Sequence, residues 1–188
     1  GGIRCQGASP TIENCAIQGN SSGSQPGGGI SCDSGGRAVF RNCDISGNDS
    51  WYGGGLWCQQ SSATLQNCII SDNYAWLGGG GIALYGNATA VVQNCTIAMN
   101  AASAGAGAGG GGISSWSGAN AGTVENTVLW GNSPNQLTPE GSTYGLRYSC
   151  VEGGWPGEGN IANGPRFAAG TYRISSNSPC IDAGVSNT

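Results

Sequence analysis

Hydrophobic positions along the chain come in short bursts that alternate with polar ones. Ile3 and Cys5 flank Arg4, Leu56 and Cys58 flank Trp57, and Cys68 and Ile70 open a further run. A period of two rather than 3.6 predicts strands with one buried face. Each burst lasts only three to five residues, too short for an ordinary helix.

The bursts recur in a fixed order. Asn-Cys stands at Asn14-Cys15, Asn42-Cys43, Asn67-Cys68 and Asn94-Cys95, and Asn126-Thr127 continues the series, at steps of 28, 25, 27 and 32. A second Asn follows six residues after each first one, at Asn20, Asn48, Asn73, Asn100 and Asn132. A Gly-Gly pair precedes Ile3, Ile30, Leu56, Ile82 and Ile113. Three short strands per turn of about 25 residues is the plan of a parallel β-helix, in which equivalent residues stack about 4.8 Å apart. Five such units fill residues 1–141, and 142–188 holds a last coil and an irregular closing segment, giving five to six coils.

Stacking predicts columns. Ile12, Phe40, Leu65, Val92 and Val124 form one buried column, and Ile17, Ile45, Ile70, Ile97 and Leu129 another. Cys15, Cys43, Cys68 and Cys95 form a third, ended by Thr127, and Cys5, Cys32 and Cys58 begin a fourth. The second Asn of each unit is read as a ladder whose amides bond the coils above and below, satisfying backbone that strand pairing leaves open. Length variation falls after that Asn, from 21–27 in the first unit to the Ala/Gly-rich 101–110, the segment expected to be most flexible.

Composition narrows the function. Gly is 37 of 188 residues, there is no His, and all six cations are Arg. Gly does not recur every third residue, so collagen is excluded. No stretch approaches 18 apolar residues, which leaves no membrane-inserting helix. The net charge of −4 and the scattered Arg make nucleic acid and anionic membranes poor partners. Without His, Ser-His-Asp triads and His metal sites are absent, and no cofactor is implied.

The ten carboxylates suggest no paired site. Glu13 and Arg41 share an outward column, whereas Asp44 and Asp72 take different places on adjacent coils, and Asp33 and Asp49 sit at coil edges. A glycosidase needs two carboxylates about 5–10 Å apart. The expectation is therefore a non-catalytic protein, with a polysaccharide lyase or hydrolase as the rival. The nine Cys follow the coil period rather than a zinc pattern and read as free, buried, small side chains. Stacked positions strain a disulfide, so few or none are expected within the columns. Cys150 and Cys180 are placed outside the columns, where one bridge stapling the end segment is possible.

Aromatic residues are the remaining candidates. Trp51 and Tyr52 occupy the loop after Asn48, Tyr74 and Trp76 the equivalent loop after Asn73, and Trp57 projects outward nearby. Together they would crowd one edge and suit the flat faces of sugars, unless the loops fold down over their own rings. Asn20, Asn48, Asn87 and Asn94 head Asn-x-Ser/Thr sequons, and Asn94 is expected inside the coil.

The repeat units resemble the right-handed parallel β-helix proteins of the pectate-lyase-like superfold. They are most similar to large bacterial secreted and surface proteins built from such repeats. Tyr148-Ser149-Cys150-Val151-Glu152-Gly153-Gly154, Gly159-Asn160-Ile161, Pro165-Arg166-Phe167 and Asn177-Ser178-Pro179-Cys180-Ile181-Asp182-Ala183-Gly184 resemble that group's C-terminal closing segment. Gly164 stands where the group usually has Asp. The resemblance implies an extracellular or cell-surface module with a structural or adhesive role and surface glycans as possible partners. The opening Gly1-Gly2-Ile3 enters a strand at once, so either an upstream piece covers the first coil or copies stack head to tail into a filament.

Overall fold

The computed structural model describes residues 1–103, 109–118 and 120–184. Among them there are 21 strands and no helix. The middle of the 101–110 loop, expected to be the most flexible part, lies outside the described residues.

Three six-stranded sheets run the length of the molecule, each built from one strand per coil. Sheet 1 holds β1 (Ile3–Gln6), β4 (Ile30–Asp33), β8 (Leu56–Gln59), β12 (Ile82–Tyr85), β16 (Ile113–Trp116) and β19 (Leu137–Pro139). Sheet 2 holds β2 (Thr11–Glu13), β5 (Arg37–Arg41), β9 (Ser62–Gln66), β13 (Thr89–Gln93), β17 (Ala121–Glu125) and β20 (Thr143–Arg147). Sheet 3 holds β3 (Ala16–Gln18), β6 (Asp44–Ser46), β10 (Ile69–Ser71), β14 (Thr96–Ala98), β18 (Val128–Trp130) and β21 (Cys150–Val151). A small fourth sheet joins β7 (Asp49–Tyr52), β11 (Tyr74–Gly78) and β15 (Ala101–Ala102). Each pairing joins a strand in parallel to its equivalent on the next coil, which defines a parallel β-solenoid of about five turns.

The strands are short because the backbone turns left-handed at fixed points. The first Asn of each unit lies at φ 51–56°, at Asn14, Asn42, Asn67, Asn94 and Asn126, and Tyr148 takes the place at 49° on the last coil. Asn tolerates that region better than other side chains because its short amide bonds locally. The corner turns the chain from sheet 2 into sheet 3 and aims the Asn side chain outward. Asn94 is therefore exposed, contrary to the sequence expectation of an interior position.

The interior is a set of columns one residue wide. Ile12, Phe40, Leu65, Val92, Val124 and Leu146 stand in register through sheet 2. Ile17, Ile45, Ile70, Ile97, Leu129 and Val151 do the same through sheet 3. Cys5, Cys32 and Cys58 lead into Leu84, Ser115 and Pro139 in sheet 1. Ala38, Ala63, Ala90 and Gly122 form a column of small residues that ends on Tyr144, whose ring occupies the space a Gly122 side chain would need.

After β21 the chain covers the end of the stack. Trp155 packs on the core, and Ile161 pairs with Cys150 as a short continuation of sheet 3. The chain then folds back as a hairpin, with Phe167 bridged to Ile174, along the outer side of sheet 3. There the Tyr172 hydroxyl donates to Asp72 Oδ1 at 2.7 Å, a contact between residues 100 apart in sequence.

The Gly pairs allow the loop before each sheet 1 strand to lie flat on the next coil. A Cβ on Gly54 would stand 2.4 Å from the Tyr74 carbonyl oxygen and 2.7 Å from that of Gly80, both immobile backbone. Gly141 has open space around it but sits at φ 61°. Gly54→Ala is expected to cost about 3 kcal/mol, and Gly141→Ala only about 1 kcal/mol. Urea denaturation of the two variants separates close approach from backbone strain, and equal losses would contradict this account.

Candidate functional site

Four side-chain ladders and two separate groups of aromatic residues are the chemically distinctive features of the molecule. The Asn ladder is the most buried. Asn48 donates both its backbone N–H and its side-chain amide to Asn73 Oδ1, at 3.0 and 2.9 Å, and bonds the Ile17 carbonyl at 2.8 Å. Asn20, Asn73 and Asn100 repeat the double donation to Asn48, Asn100 and Asn132. Asn48, Asn73, Asn100 and Asn132 are buried, and Asn20 on the first coil is half-buried. The sixth coil supplies no Asn, and Gln136 Oε1 accepts the Asn132 amide instead, at 2.6 Å. Glu152 then holds Gln136 Nε2 at 2.9 Å and the Gly131 N–H at 2.8 Å.

The corner Cys column is a second ladder rather than inert packing. The Cys68 N–H donates to Cys95 Sγ at 3.4 Å, the Cys95 N–H to Thr127 Oγ1 at 3.3 Å, and the Thr127 N–H to Ser149 Oγ at 3.2 Å. Each side chain in turn donates to the carbonyl two residues earlier: Cys43 to Arg41, Cys68 to Gln66, Cys95 to Gln93, Thr127 to Glu125. Replacement of thiol by hydroxyl on the later coils shows that hydrogen bonding defines the position. Cys43, Cys68 and Cys95 are buried, whereas Cys15, expected to be buried with them, is exposed on the first coil. Burial raises the Cys43 thiol, pushes Cys58 up to about 12 and holds Cys95 well above the ordinary range.

All nine cysteines are free thiols in the structure. Cys150, placed outside the columns by the sequence reading, in fact pairs with Val128 in sheet 3 and is buried. Cys180 lines the same groove from the side of the returning hairpin, and the Cys150 thiol donates to the Asn163 carbonyl at 3.1 Å.

Two further ladders are exposed. Asn42 Nδ2 donates to Asn14 Oδ1 at 3.2 Å and Asn67 Nδ2 to Asn42 Oδ1 at 3.3 Å along the left-handed corner. On sheet 2, Glu13, Arg41, Gln66, Gln93, Glu125 and Arg147 stand in register. Arg41 bonds Glu13 at 2.8 Å and Gln66 at 2.9 Å, Gln66 bonds Gln93 at 3.1 Å, and Arg147 pairs with Glu125 at 2.9 Å. Sequence reasoning noticed only Glu13 and Arg41. The signal for the rest was present, since every member directly precedes the corner residue of its coil. Other carboxylates are similarly engaged: Asp33 with Arg4, Asp44 with Gln18, Asp72 with Tyr172.

The aromatic residues do not form one edge. Trp57 lies on the outer side of β8, yet it is only 6% exposed because other rings cover it. Tyr52 stands 5.6 Å from Trp57 and 5.5 Å edge-on to Trp116, and Tyr85 stacks on Trp57 at 5.6 Å. Tyr85 and Trp116, missed by the sequence reading, are register partners on β12 and β16. Trp51 and Trp76 remain 41% and 53% exposed. Between β7 and β11 the pairing slips, so that Trp76 and Leu77 stand opposite Trp51 alone. Such a bulge re-aims side chains. Tyr74 supports Trp76 edge-on at 5.5 Å and bonds the Ser103 hydroxyl.

Parallel coils, left-handed Asn corners and continuous ladders define a β-helix. Residues 1–129 match the family described as the right handed beta helix region, and the chain belongs to that family. No curated protein and no solved structure matches it.

Removing one rung should expose the ladder's worth. Asn73→Ala strips the acceptor from the Asn48 N–H and amide and a donor from the Ile45 carbonyl, while Asn100 Oδ1 keeps the residue 73 N–H. Each unsatisfied buried group costs about 1–3 kcal/mol, so a loss of about 3–5 kcal/mol is expected in thermal denaturation. Asn20→Ala, on the open first coil, should cost about 1 kcal/mol or less. Native alkylation at pH 8 should label Cys15 fast, Cys180 slowly and the other seven hardly at all, because burial keeps them out of reach, Cys68 included although its neighbour Cys95 lowers its thiol to about 7. Rapid labelling of Cys68 or Cys95, read by peptide mapping, would contradict the stacked column.

Proposed function

We propose that the chain is a rigid, non-catalytic module of a secreted or cell-surface protein, and that it contacts glycans through Trp51 and Trp76. The observation that carries this reading is the bulge between β7 and β11, which turns both indoles outward from an otherwise paired sheet. A large exposed apolar ring is ordinary singly, but two on adjacent strands, one of them braced edge-on by Tyr74, offer paired apolar surface to a sugar ring. Rigidity matters because ordering a mobile aromatic side chain would consume part of the binding free energy. The ladders favour a mechanical role for the rest of the surface, since they commit Glu13, Asp33, Glu125 and Glu152 to neighbours on the protein itself.

The test is retention on a panel of insoluble and soluble polysaccharides by affinity electrophoresis. Two stacking contacts of about 1 kcal/mol each predict about a 30-fold weakening in the Trp51→Ala, Trp76→Ala double variant, with its circular dichroism unchanged. Trp57→Ala serves as the contrast, because it opens the buried cluster and should lower stability by about 3 kcal/mol. Binding that survives the double replacement would remove the glycan edge. Release of reducing ends or unsaturated sugars would make the chain an enzyme instead.

A further inference from the structure

The C-terminal hairpin lies along the outer face of sheet 3. Tyr172 reaches Asp72, Phe167 packs edge-on to Tyr172 at 5.7 Å, and Gly184 abuts Asn126. Beneath it runs a groove of about 580 Å³ whose floor includes Ile69, Thr96 and Val128. Both Cys150, on the last rung of sheet 3, and Cys180, on the hairpin side, line that groove. Cys180 is placed by its own backbone, since its N–H donates to Ser178 Oγ at 3.1 Å and the Ser178 hydroxyl is anchored on the Pro165 carbonyl.

We propose that Cys150 and Cys180 form a reversible disulfide that fastens the C-terminal hairpin to the last coil. Both side chains line one groove at the seam between hairpin and solenoid, where the Cys150 thiol donates to the Asn163 carbonyl at 3.1 Å, and they are the one cysteine pair that joins those two parts. The stacked cysteines instead serve as hydrogen-bonding rungs within one column, where in-register geometry strains a bridge. Closure proceeds by exchange with a small-molecule disulfide. The half-exposed Cys180 attacks first as a thiolate, forming a mixed disulfide and expelling one small thiol. Cys150 loses its proton to solvent and attacks the Cys180 sulfur, expelling the second small thiol. Two protein thiols are thereby oxidised as one small disulfide is reduced to two thiols. The Cys150 thiol is pushed up to about 12 by burial and by its partner, which makes it the resolving rather than the attacking group. The bridge closes a loop from 150 to 180 and fixes one wall of the groove.

The full chain is equilibrated in glutathione buffers of increasing oxidised fraction, quenched with acid, alkylated under denaturing conditions and mapped by mass spectrometry. The expected product carries a single cross-link, between the peptides of Cys150 and Cys180, with the other seven cysteines alkylated. In parallel, trypsin under native conditions reads hairpin opening at Arg166 and Arg173, both exposed on the hairpin. Cleavage there should slow at least tenfold on oxidation of the wild type and stay fast in Cys180→Ser. Cys150→Ser should behave like Cys180→Ser and controls for any local disturbance at either position. Absence of the cross-link at every redox ratio, oxidation that joins Cys68 to Cys95 instead, or slowing that persists in both Ser variants would overturn the proposal.

Discussion

The structure depends on satisfying backbone at the corners of each coil. Within sheets 1 to 3 strand pairing uses N–H and C=O groups regularly, but a coil must also turn, and the turn at the second Asn of each unit after the first is buried. A buried N–H without a partner costs more than a typical hydrogen bond contributes. The Asn ladder meets that demand with one side chain per coil. Its Oδ1 accepts both the N–H and the amide of the preceding coil, and its own amide returns to that coil's Ile carbonyl. The thiol column does the same at the preceding corner of each coil, with sulfur as the acceptor. These rungs fix the axial register, and the Ile columns behind them can then pack one residue on its equivalent without slipping.

That constraint explains why the aromatic surface is divided. Residues placed by strand register stay in columns, as Tyr85 and Trp116 do. Residues on β7 and β11 follow the Asn rung, where loop length varies from coil to coil, and they answer to local packing instead. Tyr52 turns toward Trp57 and Trp116 and closes over the outer face of sheet 1, while Trp51, on the opposite side of the same strand, turns away. The rigid columns thus supply a base, and the variable loops supply the surface that differs from one coil to the next.

Much of this was legible in the sequence because a solenoid writes its three-dimensional neighbours at a constant interval. The period-two bursts gave the strands, and the fixed spacing of six between the two Asn residues marked both ladder and corner. What the interval cannot carry was missed. Asn94 is exposed because a left-handed φ of 54° rotates its side chain outward, a reversal that alternation does not show. Trp57 is covered by Tyr85, diagonal to it on the next strand of sheet 1, and by Tyr52, which arrives from the loop strand and carries Trp116 against its other side. The Tyr172 bond to Asp72 joins residues separated by several coils and has no repeat to announce it.

The ladders also show why regular stacking stops where it does. Each Asn rung is directional, with the acceptor always supplied by the following coil. A terminal rung therefore needs an oxygen that no further coil provides. Gln136 solves this from within the chain already laid down, four residues past Asn132, its longer side chain reaching back to the place the next Asn would fill. Glu152 then takes up the Gln136 amide and the Gly131 N–H, ending the series on a carboxylate that needs no further donor chain. At the other corner Asn160 plays the same part, its Oδ1 accepting the Ser149 N–H at 3.0 Å while its amide reaches the Leu146 and Trp155 carbonyls. With both ladders closed by side chains from outside the repeat, the chain is released from the coil path. It can then fold back as a hairpin over sheet 3 instead of beginning a seventh strand layer.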